Sequence, residues 1–338
     1  MRKMASIQKI AEIKPIEGAD LIVAYRINGW WVVDKKDAYQ VGDLVVYAEP
    51  DAWIPHSLCP FLSKGKEPRE FNGVKGEKLR TVRLRGQYSQ GLILSIKDLY
   101  GNLQGLNDHF EGQDVSENLD IQRWEPPIPA CLAGKVKGNF PSFIPKTDQT
   151  RIENLGNELQ IWQQEELQWT IEEKLEGTSF TSYVYNDRSG VCSRNLELHE
   201  TDENLYWQIE KKYDVLNKIK STGMNIAVQG EILGEGVQGN CYKISGNVLY
   251  VFDIYLIDER RYMLPRERHH FVQSIGLNNV PVIGLITIDD RVDQATLIGM
   301  AEGKSVLYNT EREGIVVKCN SNNTSFKAIS RKYLLTQD

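Results

Sequence analysis

The chain has 338 residues, 41% of them hydrophobic and 25% charged, which is typical of a soluble globular protein of about two domains. A net charge of −6 argues against indiscriminate polyanion binding, although a local basic surface can still bind nucleic acid. Its five cysteines include no Cys-x-x-Cys pair, which argues against a disulfide framework or a zinc site. No apolar run approaches the roughly 18 to 20 residues of a transmembrane helix. We therefore expect a cytoplasmic or nuclear protein with no membrane partner.

Residues 1 to about 100 alternate in the manner of short strands. Asn28-Gly29 is a strong hairpin signal between the apolar runs 21–27 and 30–33. Further strands are predicted near 6–13, 41–47, 81–86 and 91–94. About five strands without a long helical pattern predict a small barrel, for which an OB-fold is the natural candidate.

The densest basic cluster of the N-terminal half comprises Lys75, Lys78, Arg80, Arg83 and Arg85. On a strand, Arg83 and Arg85 share one face while Val82 and Leu84 point inward. The cluster has two interpretations: a solvated strand face, or a surface that follows the phosphates of an oligonucleotide.

Turn-forming residues and prolines between 101 and 145 indicate a connection. We predict an N-terminal domain over 1–115, a linker over 116–135 and a second domain over 136–338. Thr147 or Asp148 is expected to cap a short helix with Arg151 near its first turns. Helices are also predicted over 203–219, 265–275 and 294–302. Strands outnumber helices and do not alternate with them strictly, which predicts an α+β domain of antiparallel sheets.

The segment Glu173-Lys174-Leu175-Glu176-Gly177 follows a predicted strand and places a lysine two residues before an acid and three before a glycine. A lysine amine is a good nucleophile only when it is deprotonated, and glycine lets the backbone approach a ligand closely. Taken alone, the segment is more simply explained as a solvated lysine at a turn. The G-x-G-x-x-G match at 234–239 lacks a following helix, so we interpret it as an active-site loop.

Six short motifs occur in a defined order: Lys174-x-Glu176-Gly177, Ser193-Arg194-Asn195, Gly230-Glu231, Phe252-Asp253-Ile254-Tyr255, Glu313-Gly314-Ile315-Val316-Val317-Lys318 and Phe326-Lys327. The series resembles the lysine nucleotidyltransferases, which comprise ATP-dependent DNA and RNA ligases and messenger RNA capping enzymes. Residues 80–92 are similar to the OB module of the fifth RNA ligase family, which carries that module in front of its catalytic domain. DNA ligases and capping enzymes carry theirs behind it.

The resemblance implies an N-terminal OB-fold followed by an adenylyltransferase domain of antiparallel sheets flanked by helices, the ATP-grasp-like nucleotidyltransferase fold. It implies an ATP-dependent RNA ligase, expected as a monomer, that seals 3′-OH/5′-phosphate breaks through a lysyl-AMP and an RNA-adenylate. The substrates would be nicks in duplexes with RNA on the 3′-OH side. The alternatives are a DNA ligase or capping nucleotidyltransferase, and a non-catalytic nucleic-acid-binding protein.

The resemblance also implies roles for individual residues. The catalytic set would be Lys174, which attacks ATP, with Glu231, Glu313, Lys318 and Lys327. Mg²⁺ or Mn²⁺ would be held by Glu176, Glu231 and Glu313. The nucleotide would be bound by Glu173, through its carbonyl, and by Arg151, Gly177, Arg194 and Phe252, which stacks on adenine. Nucleic acid would be bound by Lys78, Arg80, Arg83 and Arg85.

Two features depart from the family pattern. Glu176 stands where aspartate is common, and the second lysine expected two residues from Lys327 is missing. In addition, Glu313 and Lys318 are five residues apart, so on a regular strand they would face opposite sides unless Gly314 makes a turn.

Overall fold

The computed structural model describes residues 3–99, 110–125 and 134–336. The chain divides into two compact units, Met1–Pro127 with Leu334–Asp338, and Ile128–Tyr333. The domain limits expected at 115 and 136 stay a prediction, and part of the expected linker, with Cys131, lies outside the described residues. In the described part of the chain, no helix is long and apolar enough to cross a membrane.

The first unit is made of short antiparallel strands. They are β1 Ala5–Lys9, β2 Glu12–Pro15, β3 Ile22–Ile27, β4 Trp30–Lys35, β5 Leu44–Ala48, β6 Ala52–Pro55, β7 Arg69–Phe71, β8 Val74–Lys78, β9 Val82–Leu84, β10 Gln87–Ser89, β11 Leu92–Leu94 and β12 Gln122–Arg123, with a 3-10 turn at Pro60–Ser63. The sheet orders are β1-β5-β11, β2-β3-β4, β12-β6-β8-β7 and β9-β10. The predicted hairpin at Asn28 is confirmed, because Ile27 pairs with Trp30 across a two-residue turn.

The β9-β10 hairpin differs from its prediction. Val82 and Leu84 do not point inward but are 44% and 41% exposed. Arg85 has a φ of 49° and lies in the turn after β9, so it does not share a strand face with Arg83. The prediction was wrong because β9 pairs only with β10 and not with a barrel strand that could cover its apolar face.

The second unit contains two antiparallel sheets and several helices. The elements are β13 Val136–Asn139, a 3-10 turn Ile152–Asn154, α1 Gly156–Glu165, β14 Gln168–Lys174, β15 Thr178–Tyr185, β16 Arg188–Cys192, β17 Leu196–Leu198, α2 Leu205–Tyr213, α3 Val215–Ser221, β18 Ile226–Gly234, a 3-10 turn Gln238–Asn240, β19 Asn247–Leu256, β20 Arg261–Tyr262, α4 Pro265–Ser274, β21 Val282–Thr287, α5 Gln294–Ala301, β22 Gly314–Cys319, β23 Ser325–Ile329 and, ending the chain, α6 Arg331–Leu334. The sheet orders are β13-β17-β16-β15-β18-β19-β20 and β21-β14-β22-β23. This architecture confirms the predicted α+β class.

Helices cover one face of each sheet in this unit. Helices α2, α3 and α4 pack on the seven-stranded sheet through a core that contains Phe180 and Val228. Helices α1 and α5 pack on the four-stranded sheet around Trp169 and Ile315. Because side chains alternate along a strand, the apolar faces against the helices leave polar side chains on the opposite faces. The predicted catalytic residues Lys174, Glu231, Lys318 and Lys327 lie on the faces opposite the helices, and Glu313 directly precedes β22.

Two helix predictions were wrong and two are confirmed. The helix predicted over 203–219 is divided into α2 and α3 at Asp214, whose φ is 52°. No helix begins at Thr147 or Asp148; their side chains instead bond Ser179 and Arg194, and the first helical turn starts at Ile152. Helices α4 and α5 match their predictions.

Candidate active site

The register of the four-stranded sheet places three predicted lysines on its polar face. Lys174 is the last residue of β14 and pairs with Gly314 of β22, while Lys318 pairs with Thr170. Lys327 of β23 pairs with Val316. Directly paired residues share a face, and so do residues two or four apart on one strand. Lys174, Lys318 and Lys327 therefore line the same surface.

A compact charged cluster surrounds Lys174. Its Nζ lies 2.7 Å from Oε1 of Glu313, and the two side chains are 25% and 16% exposed. Burial lowers the pKa of Lys174, but the carboxylates of Glu313 and Glu231 outweigh burial and the net shift is upward. Burial raises the pKa of Glu231 to about 8, with Glu313 adding to the rise and Lys174 opposing it. In this state the amine is charged rather than nucleophilic.

Gly177 brings Glu231 into this cluster. A Cβ at position 177 would lie 2.3 Å from the Ile232 carbonyl oxygen and 2.8 Å from Cγ of Glu231, so another residue would push the two segments apart. The Gly177 amide donates a hydrogen bond to the Glu231 carboxylate. Gly177 was predicted to let a ligand approach the backbone closely. In the structure it is strand β18 that approaches the backbone at Gly177 closely.

The predicted arginines lie beside the cluster. Arg194 is close enough to Lys174 and Glu231 to act on the pKa of both, and it pairs with Asp148 at 2.7 Å. Arg151 is 6% exposed and forms a parallel bridge with Lys327. Arg194 therefore lies beside the Lys174 cluster, and the backbone of Arg151 lies against β23 at Lys327.

The second predicted lysine of the site, Lys318, has a different environment. Its Nζ donates to Oδ1 of Asp253 at 2.7 Å and to the Phe252 carbonyl, and lies 3.3 Å from Oε2 of Glu172. Arg268 donates to both oxygens of Glu172 and to the same Phe252 carbonyl. We call Glu172, Asp253, Arg268 and Lys318 the ion network. Glu172 and Arg268 are each 1% exposed, so the network is buried.

Several pKa shifts follow from this burial. Burial raises the pKa of Glu172, yet Lys318 and Arg268 outweigh it and hold the pKa below its usual value. Burial raises the pKa of Asp253, and here Lys318 only reduces the rise. The network contains two carboxylates and two cations. In this state the ammonium group of Lys318 is occupied by partners within the network.

Phe252 and Glu173 border one apolar cluster. Phe252 packs against a group that includes Leu175, Val280 and Leu307. The Glu173 amide donates to the Pro281 carbonyl at 2.9 Å, and its Oε2 accepts from the Val306 amide at 2.8 Å. The segments at 280–281 and 306–307 thus connect the two residues predicted to recognise adenine.

The Glu176 carboxylate is hydrogen-bonded to residues outside the Lys174 cluster. Its amide donates to the Tyr242 hydroxyl at 2.8 Å, and its carboxylate accepts from Tyr333 and Cys241. Burial and, to a smaller extent, the Glu176 carboxylate together raise the pKa of the Cys241 thiol to about 12. Burial likewise raises the pKa of Tyr333. Among the described residues no set of three His, Cys, Asp or Glu side chains is arranged as a metal site.

Gly314 resolves the difficulty with Glu313 and Lys318, though not through a turn. It is the first residue of β22, so Glu313 precedes the strand and is not bound by its alternation. Its Cβ would lie 2.3 Å from the Ala328 carbonyl oxygen, so only glycine fits there between β14 and β23.

The predicted nucleic-acid-binding residues lie in the first unit and are not equivalent. Lys78 is 3.2 Å from Asp51 and stands over the Trp124 ring at 4.0 Å. Arg80, Arg83 and Arg85 are exposed, and within the described residues none of them forms an ion pair. The positive charge of the cluster that is not paired among the described residues thus comes from its three arginines.

Comparisons with known proteins agree with this geometry. The RNA ligase family model matches residues 167–330, and an OB-fold domain model matches residues 4–96. Three solved structures of Naegleria gruberi RNA ligase are similar over nearly the whole chain: a mutant described as apo (39% identity, TM-score 0.91, 99% of this chain and 98% of that one), a mutant with ATP and Mn (38%, 0.91, 99% and 99%) and the protein with pyrophosphate (38%, 0.91, 100% and 99%). A comparison with curated proteins gives no match. The chain belongs to the RNA ligase family, in the form with an OB-fold domain ahead of the catalytic domain.

Sequence reasoning missed two residues of the ion network, Glu172 and Arg268. Glu172 precedes Lys174 by two residues, so strand alternation already places the two on one face. Arg268 had no such signal, because an arginine on a surface helix is normally solvated. Only the packing of α4 against β19 shows that it is buried.

Proposed function

We propose that this protein is an ATP-dependent RNA ligase that joins 3′-OH and 5′-phosphate ends at nicks in duplexes, with RNA on the 3′-OH side. The observation that carries the proposal is the placement of Lys174 between Glu313 and Glu231, on a face shared with Lys327 and flanked by Arg194. ATP and a divalent metal, as found in the structures of the Naegleria gruberi enzyme, fit this site chemically.

The residues around Lys174 suit a divalent cation. Glu313 is close enough to Glu231 to raise the pKa of Glu231, which is a repulsion that a bound cation would relieve. Two carboxylates suffice for Mg²⁺ or Mn²⁺, because Mg²⁺ keeps several of its waters. When bound, the metal would neutralise phosphate charge. It would also weaken the electrostatic attraction between the two carboxylates and the Lys174 ammonium group. Glu176 would join only if Tyr333 and Cys241 released it.

In the first step the Lys174 amine would pass a proton to the Glu313 carboxylate, 2.7 Å away, and attack the α-phosphate of ATP. An N–P bond forms, the bond from the α-phosphorus to the bridging oxygen breaks, and pyrophosphate leaves. Lys327, Arg151 and Arg194 would neutralise the phosphate oxygens, since phosphoryl transfer depends mainly on positioning and charge stabilisation. Phe252 would stack on adenine, and the Glu173 carbonyl would accept from its amino group. Lys318 would assist only after exchanging a carboxylate partner for phosphate.

In the second step a 5′-phosphate oxygen of RNA attacks the lysyl-AMP, forming a 5′-5′ pyrophosphate linkage and restoring the amine. In the third step a 3′-OH attacks the 5′-phosphate and AMP leaves. Arg80, Arg83, Arg85 and, to a smaller extent, Lys78 would contact the duplex backbone. The protein is expected to act as a monomer. A DNA ligase or capping enzyme is the second candidate, and family membership and domain order argue against it.

The proposal is tested by incubating the protein with ATP labelled on the α-phosphate and Mg²⁺ or Mn²⁺, followed by denaturing electrophoresis. Wild type should carry acid-labile label that survives denaturation, and Lys174→Ala should carry none. Lys304→Ala is the matched control, because Lys304 is an exposed lysine of the same unit paired with Glu311. The labelled wild type should then seal a nicked duplex with an RNA 3′-OH strand and not one with a DNA 3′-OH strand. Labelling with GTP alone would favour capping chemistry, and no labelling would favour a binding protein.

A further inference from the structure

The hairpin β9-β10 is anchored at its base and exposed along β9. The Val33 amide donates to Oγ of Ser89 at 2.9 Å, and the Gln90 amide donates to the Trp31 carbonyl at 2.8 Å. All three residues of β9 are exposed. The ribbon is therefore held at the β10 end while β9 faces solvent.

The exposed strand carries an apolar pair. Val82 and Leu84 lie two residues apart on one face of β9 and are 44% and 41% exposed. Exposing neighbouring apolar side chains is unfavourable in water, so such a pair commonly marks a contact surface. Arg83 lies on the opposite face, paired across the ribbon with Tyr88, and its guanidinium stands 5.3 Å from the Tyr88 ring centroid.

The charges around this pair are of one sign. Arg80, Arg83 and Arg85 flank it, and the sequence contains no Asp or Glu from Leu79 to Ile96. The other basic residues of this region are paired in the structure: Arg69 with Glu77, Lys75 with Glu67, and Lys78 with Asp51. The three arginines of the hairpin region form no ion pair among the described residues. Beside them lies the exposed apolar pair of Val82 and Leu84.

We propose that the hairpin enters the minor groove of an A-form RNA duplex, with Val82 and Leu84 against the riboses and with Arg80 and Arg85 on the flanking phosphates. That groove is wide and shallow and displays sugar edges, so a two-stranded ribbon can lie in it. Phosphate contacts give affinity that salt weakens, whereas apolar contact with sugars does not depend on counterions. The inference rests on the proposed function, which supplies the duplex, and extends it to a contact that recognises the form of the duplex.

The test compares the full-length double variant Val82→Ser/Leu84→Ser with Leu21→Ser/Val41→Ser, which removes two more exposed apolar side chains of the same unit. The dissociation constant for a fluorescent nicked RNA duplex is measured by anisotropy over a series of salt concentrations. The hairpin variant should bind about tenfold more weakly with an unchanged salt slope. The control should bind like wild type. Arg85→Ala should instead reduce the salt slope by about one.

Other outcomes would overturn the inference. Unchanged RNA binding by the hairpin variant would exclude the apolar contact, and an equal loss on a nicked DNA duplex would exclude reading of the A-form. Loss of self-adenylation with ATP alone would mean that the pair supports the fold or the catalytic unit. A wild-type dimer that the variant abolishes, measured by light scattering, would identify a second copy as the occupant. Failure of the proposed function is distinguishable, because wild type itself would then neither label with ATP nor seal.

Discussion

Lys174 and Lys318 lie on the same sheet face, yet the Lys174 cluster and the ion network differ in how fully their charged groups are paired. Lys318 is 9% exposed in its side chain and has two carboxylates and a carbonyl as acceptors. Lys174 is 25% exposed in its side chain and has one close ion pair, beside a second carboxylate whose pKa is raised to about 8. A fully bonded network holds strands in place, whereas an acid of raised pKa beside a partly exposed lysine is typical of a functional site. We therefore propose a structural role for Lys318 and a chemical role for Lys174.

The largest expected effect comes from breaking the ion network at Arg268. Arg268→Met should lower the free energy of unfolding by about 3 to 5 kcal/mol, because Glu172 is left buried without its bidentate partner. Urea unfolding followed by circular dichroism measures this. Arg266→Met, on the exposed side of the same helix, should change the stability by less than about 0.5 kcal/mol. Equal effects of the two substitutions would show that the network does not hold α4.

The two lysines should differ when each is replaced by methionine. Lys318→Met should cost about 2 to 4 kcal/mol of unfolding free energy, because Glu172 and Asp253 lose a shared cation in a buried site. Lys174→Met should cost less than about 1 kcal/mol, because its pair with Glu313 is partly exposed and Glu231 can stay protonated. The same unfolding measurement decides, and a larger loss at Lys174 would reverse the assignment.

Gly177→Ala should act mainly on the Lys174 cluster. The new methyl group would meet the Ile232 carbonyl, so we expect a loss of about 1 to 3 kcal/mol and displacement of Glu231. Self-adenylation should fall at least tenfold at a temperature where the variant remains folded. Gly138→Ala is the control, because a methyl group there meets nothing within 4 Å. Full adenylation by Gly177→Ala would show that Glu231 does not depend on this close approach.

The last expected effect is a pH dependence of stability at Glu231. Its folded pKa of about 8 lies above the ordinary value of 4.5, so the native state binds more protons between these values. Its contribution to stability is therefore complete below about pH 4.5 and is lost as the pH rises through about 8. Glu231→Gln lacks this loss. Thermal unfolding with a chelator present should show the variant gaining on wild type as pH rises to about 8, and a constant difference would contradict the assigned pKa.

Much of the fold and most of the site could be predicted from local signals. Asn28-Gly29 determines its hairpin because few other residue pairs adopt that turn, and strand alternation places Glu172 and Lys174 on one face. The order of short motifs predicted Lys174, Glu231 and Glu313 as site residues, and the structure brings the three together. These signals depend on residues near one another in the chain.

The parts that failed depend on contacts between distant segments. Val82 and Leu84 carried a strand pattern, but which face a barrel covers is determined by pairing partners. Lys318 stays a predicted catalytic residue, but its partners Glu172 and Asp253 lie on other strands and could not be predicted from its motif. The break at Asp214 lies inside a helical pattern whose two halves pack separately.

The most direct test maps the adenylated lysine. Wild type is incubated with ATP and Mg²⁺ or Mn²⁺, digested, and analysed by mass spectrometry for peptides that carry AMP. The account predicts AMP on the peptide containing Lys174 and none on the peptide containing Lys318. AMP on Lys318, or on Lys327, would contradict the division between a reactive cluster and a structural network.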